Sequence, residues 1–301
     1  MNELALIDYL MPRLPTRREV VIPPGDDCAG VLLPDGKTIQ LLAVDQLISD
    51  VHYFRETTPP ELAGAKLLKR NLSDIAAMGG VAKYALMTMA GAMAGDQYYQ
   101  QYFDGLTSCA RQYDVAVIGG DLALMPPDCP AECATLTIIG EVEADLAAKR
   151  NAGKSGEILA ISGELGNSLA SNHHLNFTPQ LAEGRFLVTN HYTRCMMDIS
   201  DGLLLDAARL GRASGVQIEL DLSTLPQRIG TTLQGALSDG EDYGLLFTVV
   251  PELWQKLTRE WPFSTPLTAI GQMRDGVAGS VLDTLNNDLL NRGKKGYEHK
   301  I

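Results

Sequence analysis

A mixed α/β (α+β) protein of two domains is what this sequence predicts, and three observations predict it. Apolar runs of strand length alternate with segments of helical periodicity along the chain. At 301 residues there is material for about two domains, each able to bury a core of its own. A polar, turn-rich stretch, "EADLAAKRNAGKSGE", interrupts the pattern, and the boundary is expected near residues 143 to 152, giving domains 1–145 and 146–301.

Taken in order, "TIQLLAVD" reads as a buried strand ending at Asp45, and "PPELAGAKLLKRNL" as a helix entered through proline with Leu62, Ala65 and Leu68 on one face. "YALMTMA" is strand-like. "GDQYYQQYFDGLTSCARQY" carries Tyr99, Tyr102, Phe103, Leu106, Ala110 and Tyr113 at helical spacing, a stripe that belongs in a core. "DVAVIGGD" is expected as a buried strand terminating at Gly119-Gly120-Asp121, and "CATLTIIGEV" as another strand. Beyond the break come the strand "EILAIS", the turn "GELGNS" opening a short helix, and the helix "DGLLLDAARLGRASG", closed by Gly211 or Gly215. "VQIELDL" and "YGLLFTVV" read as strands and "PELWQKL" as a helix, followed by a weakly patterned tail.

Composition excludes several function classes. A formal charge of −12 opposes binding to nucleic acid or an anionic membrane unless a local basic patch exists, and the most basic stretch, "RGKKGYEHK", reads as a solvated tail. There is no apolar run of the roughly eighteen residues that a membrane span requires. The opening "MNELALIDYLMPRL" has acids where a secretory signal needs a basic region, so a cytoplasmic location is expected. Five scattered cysteines supply no zinc ligand set and read as reduced thiols.

Chemistry points to the aspartates. Asp26 and Asp27 fall in a turn, Asp45 and Asp121 at expected strand ends, and Asp74, Asp198 and Asp201 at expected helix starts, where α/β proteins open their sites. Two Ser-Asp pairs, in "NLSDIAAMGG" and "MDISDGLLLD", look alike. Each is either a helix cap, stabilising by about 1 kcal/mol, or part of one site whose hard oxygens suit magnesium; spacing alone leaves both open. "AGKSG" lacks the upstream glycine of a phosphate-binding loop and precedes a strand, so it is a decoy. The amides of "GELGNS" are free either to meet an anion or merely to make a tight turn. Adjacent His173 and His174 point apart and read as a surface pair, His52 reads as structural, and Asp206 as an ordinary helix residue.

The order of blocks "PGDDCAGVLL", "AVDQLISDVHYF", "AGAKLLKRNLSDIAAMGG", "VIGGD", "ISGELGNSLA", "MDISDGLLLDAARLGRASG" and "SDGEDYGLLFTV" resembles that of the thiamine-monophosphate kinase family, within the superfamily of aminoimidazole ribonucleotide and selenophosphate synthetases. The resemblance spans almost the whole chain. It implies a two-domain synthetase-like fold whose N-terminal domain binds ATP and magnesium and pairs through its sheet in a homodimer. It also implies ATP-dependent phosphorylation of thiamine monophosphate, with ATP as co-substrate, several magnesium ions and no side chain acting as general base. Carried over residue by residue, the metal-binding carboxylates are Asp27, Asp45, Asp74, Asp121, Asp198 and Asp201. The nucleotide contacts are Gly120, Asp121, Arg150 and Ser200, and the thiamine-phosphate contacts are His52, Glu241 and Tyr297.

The chain departs from the family pattern at particular places. Ala43 and Val44 stand where hydroxyl residues precede the strand aspartate, and Leu122 and Ala123 where threonines are usual. Aliphatic side chains offer no lone pair, so one metal position is expected to be weakened. Gly244 replaces a glutamate and Asp50 a glycine. Two alternatives accompany the kinase reading: a non-catalytic descendant that binds nucleotide or thiamine phosphate, and a superfamily enzyme with another phosphate acceptor.

Overall fold

The computed structural model describes residues 3–91, 96–126, 128–129 and 131–297. The end of the basic tail, residues 298–301, lies outside them.

The first half is built on a six-stranded sheet of β1 (Val20–Ile22), β2 (Ala29–Leu32), β3 (Thr38–Ile48), β4 (Val81–Gly91), β5 (Ala116–Leu124) and β6 (Cys133–Glu143), in spatial order β1-β2-β3-β6-β4-β5. Residues alternate between buried and half-buried along β6, which puts Ala134, Leu136, Ile138 and Val142 on a covered face. The cover is α2 (Pro60–Ala77), whose Leu67, Leu68, Leu72 and Ile75 are fully buried, backed by α3 (Asp96–Gln112). These helices touch backbone to backbone. A Cβ on Gly64 would lie 1.9 Å from the Tyr102 carbonyl oxygen, and one on Gly105 would lie 1.9 Å from that of Glu61, so only glycine fits at either place. A short helix, α1 (Glu3–Leu10), precedes the sheet.

The opposite face of this sheet is open, with Val44 61% and Leu86 40% exposed. "DVAVIGGD" is therefore not a buried strand: β5 is the sheet edge, every residue of it is exposed, and it runs on past Asp121 to Leu124. An unbroken apolar run looks the same in sequence whether the covering layer belongs to its own chain or not.

The second half holds β7 (Ile158–Ser162), β8 (Met196–Asp198), β9 (Gln217–Leu220), β10 (Leu245–Val249), β11 (Leu267–Arg274) and β12 (Val281–Asp283), ordered β12-β9-β11-β7-β10-β8. Leu159, Ile161 and Leu246 on one face pack with Leu203, Leu204 and Leu210 of α6 (Leu203–Ser214). Ala160, Leu245 and Phe247 on the other pack with Leu187 of α5 (Leu181–Thr189) and Leu257 of α8 (Pro251–Glu260). Between them lie the short helices α4 (His173–Asn176) and α7 (Leu233–Ser238). Gly215, at φ 72°, is the glycine that closes α6. The weakly patterned tail contains β11, an inner strand paired to both β7 and β9; a register shift at Ala269/Gly271 breaks its alternation, which hid it.

The two halves meet at the C-terminal end of α2. Ala76 and Ala77 belong to the core beneath α5, and a Cβ on Gly184 of α5 would lie 2.1 Å from the Ala76 carbonyl oxygen. That close approach sets the last turn of α2 against the second sheet. All five cysteines are free thiols. No helix among the described residues is long and apolar enough to cross a membrane.

Candidate active site

Asp27, Asp74 and Asp198 come from three separate segments, yet each offers a carboxylate oxygen within 4.8 Å of the other two. Asp27 sits in the turn between β1 and β2, as expected. Asp74 does not open a helix: it lies in the last turn of α2, which continues five residues beyond Leu72 before Gly79 (φ 67°) and the Gly80 N–H to Ile75 C=O bond end it. Ser73 is accordingly no cap, and its hydroxyl donates to Asp198 across 2.6 Å. Asp198 is the last residue of β8 rather than a helix start.

Such a cluster repels itself. Burial pushes the Asp74 carboxyl well above the usual carboxylate range, and the charges of Asp45, Asp198 and Asp27 push it further. Asp198 is driven up the same way, by burial first and then by Asp27. Neighbouring Asp26 rises to about 6 through burial and through Asp27. Among the described residues the cation paired with the cluster is Arg150, whose Nη2 lies 2.6 Å from Asp27 and whose backbone N–H donates to Asp26 at 3.1 Å. Three converging carboxylates, none of them exposed and with so little compensation, suit a hard divalent cation.

A cavity of about 560 Å³ opens beside the cluster, lined by residues of both halves, among them Asp45, Asp74, Asp198, Ser200, Asp201, His52, Glu241 and Tyr297. Asp45 is not at a strand end; it is an inner residue of β3, its Oδ2 3.4 Å from Arg70 Nε. Asp201, in the loop before α6, pairs with Arg209 at 2.6 Å. Asp206 is no ordinary helix residue. Wholly buried, it accepts the N–H groups of Ser200, Asp201 and Gly202 at 3.1 to 3.2 Å and meets Arg209 at 2.8 Å, so it ties the loop before α6 to the first turn of the helix. Its carboxyl is nevertheless pushed up to about 7, burial outweighing Arg209.

The far end of the cavity is organised around Lys66, which has no solvent exposure. Its ammonium donates to the His52 carbonyl at 2.6 Å, lies 3.0 Å from His174 Nδ1 and sits 2.8 Å from Glu241. Burial lowers Lys66 to about 8 against the pull of Glu241. His174 is thus buried, not a surface residue, and falls to about 4 through burial and the Lys66 charge. His173 does point elsewhere, to the Asp242 carbonyl at 2.9 Å. Glu241 and Tyr243 both take left-handed backbone (φ 54° and 51°), and their N–H groups bond Ser200 and Ile199. Two such residues each cost on the order of 1 kcal/mol or more, strain of the kind that gathers at functional sites. The amides of "GELGNS" do meet anions, but the chain's own: Gly166 donates to Asp242 and Asn167 to Asp239.

The remaining expected residues lie outside the cavity lining. Gly120 and Asp121 are on the exposed edge strand. Register pairs Asp121 with Thr88 and Asp45 with Leu136, and Thr88 is exposed while Leu136 is buried. Asp121 therefore faces the open side of the sheet and Asp45 the covered side, so one chain does not bring them together. Two departures acquire a reason. Asp50 keeps a glycine-like φ of 57°, and a Cβ on Gly244 would lie 2.4 Å from the Ser162 carbonyl oxygen, leaving no room for a glutamate.

Sequence reading missed Lys66, Arg70 and Asp206. The first two carried a signal: Lys66, Arg70 and Asp74 recur at intervals of four, a polar stripe on a helix otherwise buried.

Paired six-stranded sheets closing on a carboxylate-lined cavity place the chain in a known class: residues 25–142 match the model of the AIR synthase related protein, N-terminal domain. The thiamine-monophosphate kinase of Bacillus subtilis (strain 168) is 30% identical over 99% of both chains. Among solved structures, AaThiL complexed with AMPPCP and TMP superposes with a TM-score of 0.84 at 27% identity, covering 99% of this chain and 97% of that one. Thiamine-monophosphate kinase from Stenotrophomonas maltophilia gives 0.74 at 28%, covering 94% and 96%. The chain belongs to the thiamine-monophosphate kinase family.

Proposed function

We propose that this chain transfers the terminal phosphoryl group of ATP to a phosphate oxygen of thiamine monophosphate, giving thiamine diphosphate and ADP. Family membership supports the reaction, as does the solved relative holding AMPPCP and TMP. The observation that carries it is the convergence of Asp27, Asp74 and Asp198, the last two lining a cavity that also presents His52, Glu241 and Tyr297. The acceptor is already an oxyanion, so no strong base is required. What remains is to bring two anions together in line and to offset their charge.

Asp27, Asp74 and Asp198 are the residues that would hold magnesium, with Asp201 beside them; bound there, the ion neutralises phosphate charge in the transition state. Arg150 and Ser200, with Gly120 and Asp121, form the nucleotide side, while His52, Glu241 and Tyr297 orient the thiamine phosphate. Lys66 ties Glu241 to the His52 loop. Residues 1–145 serve as the ATP- and metal-binding unit and residues 146–301 as the unit that closes over it. A homodimer through the open sheet face accounts for the exposed Val44 and Leu86 and for the position of Asp121. Free thiols and a soluble phosphorylated substrate favour the cytoplasm.

Purified protein with ATP, magnesium and thiamine monophosphate is expected to form thiamine diphosphate and ADP in equal amounts. ATP binding without either product would sink the reading in favour of a non-catalytic binder.

A further inference from the structure

Among the described residues lining the cavity, the cations are few: Arg70, the exposed Lys294, and His52 when protonated. Arg70 is built in. It stands one helical turn before Asp74 on α2, its side chain is 14% exposed, and its Nη1 donates to the Gln46 carbonyl at 2.8 Å. Asp45 lies 3.4 Å from Nε, yet that buried N–H has no hydrogen bond. A buried guanidinium N–H without a partner is costly unless a ligand completes it.

The surroundings identify the ligand. Burial opposes the charge of Arg70, and the nearby carboxylates of Asp45, Glu241 and Asp74 favour it. Asp45 is outside the close Asp27/Asp74/Asp198 cluster, and Ala43 and Val44 beside it offer no oxygen. Asp45 therefore already has a cation at 3.4 Å, and the two residues before it add no oxygen with which it could complete a divalent-ion shell. Glu241 and Tyr243, next to Arg70, sit at the acceptor end of the cavity, whereas Gly120 and Arg150 lie outside it. A planar guanidinium lining a space where a phosphate monoester is to be aligned matches phosphate oxygens.

We propose that Arg70 binds the phosphate of the acceptor, with Asp45 acting as its anchor rather than as a metal ligand. This rests on the kinase reading for the identity of the acceptor. The specificity it supplies is for a phosphorylated over an unphosphorylated thiamine, because the phosphate meets the guanidinium charge with an anion and the alcohol does not.

Calorimetry on the full-length protein with magnesium and a non-hydrolysable ATP analogue provides the test, using thiamine monophosphate, inorganic phosphate and thiamine as probes. In Arg70→Met the Kd for thiamine monophosphate and for phosphate is expected to rise about tenfold or more, with that for thiamine and for the ATP analogue unchanged. Arg70→Lys retains the charge without the fork and is expected to fall between, which decides the matter if the Met variant does not fold. Asp45→Asn is expected to weaken phosphate binding while leaving the number of bound Mn²⁺ ions as in the unaltered protein. Unchanged Kd for thiamine monophosphate in both Arg70 variants, no phosphate-dependent binding in the unaltered protein, or loss of a Mn²⁺ equivalent in Asp45→Asn would each overturn the proposal. Turnover of the unaltered protein is scored separately: if it makes no thiamine diphosphate the kinase reading fails, while the phosphate-binding comparison still judges Arg70.

Discussion

Ser73-Asp74 and Ser200-Asp201 are the same dipeptide in opposite settings. The first lies at the C-terminal end of α2, where the helix dipole presents partial negative charge, and Asp74 is crowded there by Asp27 and Asp198. The second lies just ahead of α6, at the end of a helix that favours an anion, and Asp201 has Arg209 at 2.6 Å. Asp201 is thus supported by its own fold, whereas Asp74 is held in an environment that resists its charge. Carboxylates that cost the free chain stability are those whose role needs a bound cation.

The sharpest way to break this contrast is Asp74→Asn. Turnover is expected to fall by about 10² to 10³-fold or more, while the metal-free protein melts at the same or a higher temperature because a buried repulsion has gone. Near-normal steady-state turnover, or a large fall in melting temperature, would contradict it.

Asp206→Ala comes next and addresses the α6 side. It leaves three amides without their acceptor and removes one of the two carboxylates that Arg209 meets, and urea unfolding is expected to show a loss of about 3 to 5 kcal/mol. A loss under about 1 kcal/mol would mean that the loop does not depend on it.

The contrast also has a pH signature. Asp74 and Asp198 have folded pKa values raised above the unfolded carboxylate value of about 4. Their favourable contribution is therefore fully present below about 4 and is lost as pH rises through the raised folded values. His174, lowered to about 4 in the fold, acts in the other direction, destabilising as pH falls below its unfolded value near 6.5. It is shared by unaltered and variant protein, so their difference isolates Asp74. Without metal, the melting temperature of Asp74→Asn relative to the unaltered chain is expected to be higher at pH 8 than at pH 5; a constant difference would remove the basis for calling Asp74 destabilised.

Asp201→Asn should have the smallest effect. Its half-exposed pair with Arg209 is worth about 0.2 to 1 kcal/mol, and a thermal scan showing more would place Asp201 with Asp74.

Much of this was legible in the sequence. Strand runs and aromatic spacing located β3, β4, β6 and α3 because one face of each is covered by its own chain. The site aspartates were singled out by residue type and motif order, but their settings were misread. Ser-Asp before small apolar residues looks like a helix start whether a helix is beginning or already running, and only packing of Ala76 and Ala77 against α5 extends α2 past it. β5 was read as buried although no layer among the described residues covers it, and β11 was hidden by its register shift. Lys66 and Arg70 were not singled out, because a charged residue on a helix declares a role only once that helix is known to be buried on nearly every side.

The central claim, that Asp27, Asp74 and Asp198 form one cation site, is tested most directly by the magnesium dependence of stability. At magnesium about 100-fold above its Kd, the unaltered protein should gain about 2.7 kcal/mol, read as a rise in melting temperature, and Asp74→Asn should gain little. An equal magnesium-induced rise in both proteins would contradict the account.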